Sequence, residues 1–440
     1  MKRWLLGGLM AVITGTGGAM EADIQQWSTE NGAKVLFVER NELPIVDVRV
    51  AFDAGSARDG DHPGLARMVS NLLLDGTAER DAGDIARRFE RYGARVSAGS
   101  SRDMAEVSLR SLSDPNNLQP VVEALSAVIA GANFPADAVE RVRQQTMLGL
   151  QQEQSSASSL AEKAFAAAIY GDHPYARPPQ GSLESVPDIT RKDLQAFHAE
   201  YYVARNATLA IVGNLSRVDA EIIANQLTAG LPAGQAAEPL PAVDLPAASQ
   251  VVRVPFEAGQ THVLIGQPSV ARGDEAYYPL YFGNHLLGGG GLTSLLAERM
   301  REERGLSYSS YSQLSTGAQR GRFEMGTQVR NEALEEALEV LRGTLVELIE
   351  EGPVPERLED SRRNITGSFP LQLDSNRSLL GYVVSIGFHD LPHDYLSQFV
   401  EKIEGLDGVA VQAAMRGHLH PQRMITVLVG PADVIDAVAD

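Results

Sequence analysis

Nine histidines and no cysteine confine any metal chemistry in this sequence to imidazole and carboxylate ligation, and they exclude disulfides and thiolate nucleophiles. Two histidine pairs have ligand-like spacing. His389 and His393 lie four apart, but Pro392 between them interrupts a continuous helix, so the two do not share a face. His418 and His420, in Gly417-His-Leu-His-Pro421, alternate on a turn-like phrase with no third ligand signalled nearby. Ser70 could be a nucleophile, yet no Gly-x-Ser-x-Gly elbow surrounds it. The glycine run Gly288 to Gly291 has neither the Lys-Ser/Thr of a phosphate loop nor an acidic residue about 20 positions on, and reads as a flexible loop before a helix capped by Thr293 or Ser294.

The elements that must position these residues are legible from composition and periodicity. A chain of 440 residues with 44% hydrophobic and 22% charged residues is an ordinary globular sequence with room for two to four domains at ~100–200 residues each. Its net charge of −19 argues against nucleic acid and against anionic membrane surfaces as partners. Residues 1–22 have the form of a secretory signal: Met1-Lys2-Arg3, an apolar run Trp4 to Ile13, and a small-residue stretch to Ala22 with cleavage near Ala19 or Ala22. The expectation is an exported protein, most simply periplasmic, without stable membrane insertion after cleavage.

A Pro/Ala/Gly-rich stretch over 230–250 divides the remaining chain into residues 23–229 and 251–440. The halves resemble each other. Each opens with an alternating run (Val46 to Phe52; Thr261 to Gly266), continues through an Ala-Arg turn into a Leu-Leu-x-Gly phrase, and closes on an apolar strand ending in glycine (Ala207 to Gly213; Met424 to Gly430). Strand pairs over 95–112 and 307–329 and amphipathic helices over 118–132, 135–153 and 331–350 fill the space between. The pattern predicts an α+β fold of two related lobes.

Several ordered phrases carry a family resemblance: Ala54-Gly55-Ser56-Ala57-Arg58-Asp59 leading into Pro63-Gly64-Leu65-Ala66; Tyr170-Gly-Asp-His-Pro-Tyr175; Phe197-His-Ala-Glu-Tyr-Tyr202; and Gly288 to Leu292 running on through Arg301-Glu-Glu-Arg-Gly-Leu-Ser-Tyr308. From about residue 25 to the C-terminus the sequence resembles the pitrilysin/insulinase zinc peptidases, the inverzincins, in their short two-lobe form. That resemblance implies two homologous lobes, each a duplicated α/β sandwich with a mainly antiparallel sheet and helices on one face.

Active members carry His-x-x-Glu-His on the helix after the Gly-Leu-Ala phrase, where residues i and i+4 share a face and the glutamate polarises the metal-bound water. Here those five positions read Arg67-Met68-Val69-Ser70-Asn71, so both ligand positions and the base position are replaced, and Arg67 puts a fixed cation where a dication would sit. The later glutamate ligand would fall near Gly149, with Glu153 one turn on. In contrast, Arg301 and Tyr308 match the Arg and Tyr, seven residues apart, that bind the substrate carbonyl in the family. The resemblance therefore implies no metal in this chain and a homologous partner with an intact inverted zinc motif that carries the zinc. This chain would be the non-catalytic subunit of a heterodimeric endopeptidase, lending Arg301 and Tyr308 toward peptides or unfolded segments. The alternative is a proteolytically inactive scaffold or peptide-binding protein with the same fold.

Overall fold

The computed structural model describes residues 23–438; the signal-like segment 1–22 lies outside the described residues. The N-terminal sheet is built from β1 (Gln25–Ser28), β2 (Lys34–Glu39), β3 (Ile45–Phe52), β4 (Arg95–Ser100), β5 (Ala105–Leu112) and β6 (Ala207–Gly213), in the order β1-β2-β6-β3-β5-β4. The C-terminal sheet contains β7 (Gln250–Pro255), β8 (Gln260–Pro268), β9 (Ser310–Leu314), β10 (Arg322–Arg330) and β11 (Ile425–Gly430), in the order β7-β11-β8-β10-β9. Only β2–β6 and β7–β11 pair in parallel. Removing β1 from the first sheet makes the two orders superimposable, which is the duplication expected from the repeated phrases.

Among the described residues, eight α-helices belong to the first half: α1 (Leu65–Leu72), α2 (Ala82–Glu90), α3 (Pro115–Gly131), α4 (Ala136–Glu153), α5 (Ala157–Tyr170), α6 (Ser185–Asp188), α7 (Arg191–Tyr201) and α8 (Arg217–Thr228). The second half adds α9 (Tyr277–Asn284), α10 (Leu334–Glu351), α11 (Pro355–Ser368), α12 (Asn376–Phe388), α13 (Tyr395–Gly405), α14 (Gly408–His418) and α15 (Ala432–Ile435). The amphipathic runs read from sequence fall on α3, α4 and α10 to within a few residues.

Residue patterns explain how the sheets are covered. β5 alternates buried and partly buried residues and needs one apolar cover, whereas every residue of β6 and of β11 is buried. A strand buried on both faces needs two covers. The first comes from the same half: Val35, Phe37, Val48 and Val50 pack with Val69 and Leu72 of α1 and Leu125 of α3 in one core. The second comes from the opposite half. Leu36, Val38, Ala210 and Val212 share a core with Leu379, Leu380, Val383 and Val384 of α12, and Leu264, Val427 and Val429 share one with Ala161, Phe165 and Ile169 of α5. Helices on one face of each sheet were expected; the other face of each is closed by a helix exchanged between the halves.

Glycines set how closely these exchanged helices approach. A Cβ at Gly387 of α12 would stand 2.3 Å from Leu36 Cδ1, and one at Gly266 of β8 would meet Phe323 O at 2.1 Å and the Phe165 ring at 2.9 Å. The segment 230–249 has no regular structure but is strapped down: the imidazole of His173 bonds Pro241 O (2.9 Å), Gln319 donates to Leu240 O (3.1 Å) and Arg58 donates to Glu238 O (2.6 Å). A polar clasp also joins the lobes. Asp103, in the β4–β5 turn, accepts from the Tyr175 hydroxyl and from Ala318 N (3.0 Å), while Gln319 N donates to the same hydroxyl (3.1 Å).

Beside the clasp, Glu324 is 1% exposed and held by Arg322 at 2.8 Å, with Glu162 on the other side of that arginine. Burial lifts the Glu324 carboxyl to about 7, against the pull of Arg322 and Arg102 and with the help of Glu162. Between pH 4.5 and about 7 the folded chain holds this proton while the unfolded chain has released it, so this contribution to stability falls as pH rises through that window. Glu324→Gln should therefore lose less in urea midpoint than the parent between pH 5 and 7.5; equal losses would refute the assignment.

Candidate functional site

The positions at which the sequence resemblance expects metal ligands are brought together. Asp59 anchors the start of α1 by accepting from Gly64 N (2.7 Å) and Ala66 N (2.8 Å), the arrangement that satisfies free amides at a helix N-terminus. Met68, Val69 and Leu72 of α1 face the core, which turns residues 67 and 71, one helical turn apart, to the opposite side. Val142 and Leu150 fix α4 in the same way. Between the two helices and the end of β4 lies a cavity of about 490 Å3 bordered by Arg67, Ser70, Asn71, Gly149 and Glu153.

The donors in this cavity do not fit zinc. Arg67 Nη1 donates to Ser100 O (3.1 Å), Ser70 Oγ turns back to Arg67 O (3.0 Å), Asn71 is exposed, and a Cβ at Gly149 would meet nothing within 4 Å. Of the two carboxylates that line the cavity, Asp75 is engaged by Arg141 at 2.8 Å and Glu153 by Lys163 of α5 at 2.6 Å. Among the described residues no group of three His, Cys, Asp or Glu side chains could hold a metal ion. An arginine and an amide on one helix face present hydrogen-bond donors and a positive charge, the reverse of a cation-binding set.

Arg301 and Tyr308 stand apart from this cavity and together with each other. Arg301 lies in the last turn of a π-helical segment, Ala297–Glu302. The chain then reverses at Gly305, whose φ of 61° is in the left-handed region, with Gly305 N bonded to Arg301 O (3.1 Å) and Leu306 N to Met300 O (2.8 Å). Met300 and Leu306 are buried, and the turn they anchor brings the Arg301 guanidinium to 4.8 Å from the centre of the Tyr308 ring. Tyr308 is 84% exposed. Neither residue borders the cavity of Arg67 and Gly149.

Other features differ from the reading of the sequence. Gly288 and Gly289 are part of a π-helical turn, His285–Gly289, rather than a free loop, and Gly288 packs on β9, where a Cβ would meet Ser312 N at 2.2 Å. Ser294 does accept from Ala297 N (3.4 Å) as a cap. His389 follows the end of α12, and His393 sits in a turn bonded to Gln26 (2.8 Å), so the two share no helix face. Sequence reasoning missed the rest of the cavity wall. Arg141, Gln145 and Thr146 follow from the helical spacing that leads to Gly149; Gln180, from a distant turn, leaves no local signal.

This geometry defines a class: a two-lobed α+β protein with exchanged covering helices, a cavity lined by Arg67, Asn71 and Gly149 in one half and an Arg–Tyr pair at the surface of the other. Residues 34–181 match the profile described as insulinase (peptidase family M16), and residues 188–365 match the profile described as peptidase M16 inactive domain. A crystal structure of a peptidase M16 inactive domain from Pseudomonas fluorescens is similar, with TM-score 0.90 and 38% identity over 93% of this chain and 98% of that one. A non-peptidase homolog from Helicobacter pylori is 24% identical, covering 95% of this chain and 96% of its own length. An uncharacterized zinc protease of Mycobacterium leprae is 25% identical, covering 94% and 93%. The chain belongs to peptidase family M16, the pitrilysin/insulinase family, and is an inactive-type member of it.

Proposed function

We propose that this chain is the non-catalytic subunit of a heterodimeric zinc endopeptidase, acting on peptides or unfolded segments with an M16 partner that carries the intact His-x-x-Glu-His motif and the zinc. The observation that carries this reading is an asymmetry: the positions where the family carries its metal ligands and base hold Arg67, Ser70, Asn71 and Gly149, while Arg301 and Tyr308 are kept and paired, with Tyr308 open to solvent. A guanidinium donates a charge-assisted hydrogen bond and a phenol a neutral one. Aimed at a scissile carbonyl in a partner's site, the two would hold the oxygen and stabilise the negative charge it gains as water adds. Export to the periplasm, on the strength of residues 1–22, would place the pair among secreted peptides.

The test is peptide hydrolysis and zinc content for the chain alone, for an intact-motif M16 protein from the same source alone, and for the two mixed. Activity confined to the mixture, with about one zinc per pair located in the partner, is the expected result. A zinc-loaded, active preparation of this chain alone would overturn the proposal, and an inactive mixture would favour a scaffold or peptide-binding role.

A further inference from the structure

Arg67, where the resemblance expects a metal ligand, lines a cavity, and no carboxylate among the described residues offsets its charge there. Two carboxylates line the same cavity, and both are already engaged: Asp75 by Arg141 at 2.8 Å and Glu153 by Lys163 at 2.6 Å. Arg67 forms no ion pair among the described residues; it uses Nη1 on Ser100 O and leaves other donors of a five-donor fork for a ligand. On a chain of net charge −19 this is not one cation among many on a basic surface. Gly149 opposite leaves space for a ligand, since a side chain there would enter a volume free of other atoms to 4 Å. At about 490 Å3 the cavity is the size of a small-ligand site. It shares Glu153 and Gln180 with a second cavity of about 420 Å3, to which Arg102 and Arg177 contribute, so bound chain can continue past it.

We propose that the former metal site is a carboxylate-binding site, in which Arg67 receives the C-terminal carboxylate or an acidic side chain of a short peptide. A planar carboxylate matches the guanidinium fork with two parallel hydrogen bonds, while Asn71, Gln145 and Thr146 supply neutral partners for the adjoining peptide groups. This goes beyond the two-chain reading and does not depend on it, because the cavity is built within one chain; its failure would leave the role of Arg301 and Tyr308 untouched.

The test uses the full chain and three tetra-alanine peptides with an uncharged N-terminal fluorophore: one with a free C-terminal carboxylate, one as the C-terminal amide, and one as the amide with a single Glu. Fluorescence anisotropy should show one or both acidic peptides binding at least about tenfold more tightly than the neutral amide, the factor a single charge-assisted contact supplies. Which acidic peptide wins identifies the source of the carboxylate. Arg67→Gln should bring the ratio close to one, and Arg67→Lys should keep part of it. Gly149→Glu provides a second route to the same loss, by placing a carboxylate inside the cavity at a position with room for it; it decides the matter if the Arg67 variants do not fold. The proposal is overturned if no peptide binds, if acid and amide bind alike, or if the preference survives Arg67→Gln or Gly149→Glu.

Discussion

If the proposed two-chain peptidase is reconstituted, Arg301→Ala is expected to lower its kcat by about 10²–10³-fold, the effect of removing one oxyanion donor, while leaving the stability of this chain almost unchanged. Stability should hold because the Arg301 guanidinium packs on the ring of Tyr308, which is itself 84% exposed. Tyr308→Phe keeps the ring under the guanidinium and removes only the hydroxyl, so it should cost less than Arg301→Ala and act on kcat more than on KM. Steady-state kinetics of the mixture with each variant, alongside unfolding of the isolated chain, separate a catalytic contribution from a structural one. Unchanged kcat in Arg301→Ala would remove the pair from the mechanism and leave it as an interface ornament.

Phe165→Ala should destabilise the whole chain by about 3–5 kcal/mol, at the upper end for a single core truncation. Phe165 is fully buried, and it is a first-half residue on α5 whose ring packs on the second-half sheet near Gly266 and Arg322 (5.6 Å from guanidinium to ring centre). Because α12 performs the same service for the first sheet, neither sheet keeps both of its covers when the other half unfolds. The measurable consequence is a single cooperative transition, followed equally by probes in each half, whose midpoint drops in Phe165→Ala. Two resolved transitions, with only the second-half probe shifted, would contradict it. Gly387→Val tests the reciprocal contact, since its side chain must displace Leu36 and Thr208, and overpacking of this kind costs about 1–3 kcal/mol.

Much of this was legible in the sequence, and the parts that were not share a cause. The two-lobe plan came from repeated phrases, and the repeats work because local patterns decide local structure: the largely apolar Ala207–Gly213 and Ile425–Gly430 do form fully buried interior strands. That Arg67, Asn71 and Gly149 come together was also readable, because Arg67 and Asn71 share one face of a short helix and Gly149 falls at a predictable turn of another. What the sequence did not disclose is non-local. Nothing in Ala157–Tyr170 marks that helix as the cover of the other half's sheet; its apolar face looks the same whichever sheet it meets. The Asp103–Tyr175–Gln319 clasp joins three turns far apart in the chain, and each residue read singly is an ordinary turn residue. The Gly288–Gly289 turn was misread because glycine suggests freedom, whereas here its small size admits the close approach of β9.

The exchange of helices has a consequence for how the protein is made. The first sheet has all its strands once Gly213 has been synthesised, but the helix that seals its second face ends at Phe388. At ribosomal rates of ~5–20 residues per second the interval between the two is roughly 10–35 s, during which the apolar side of a nearly finished sheet, with Leu36, Val38, Ala210 and Val212 on it, has no lid. A nascent chain stalled in that interval is the species most exposed to aggregation, and the one on which a holding chaperone would act.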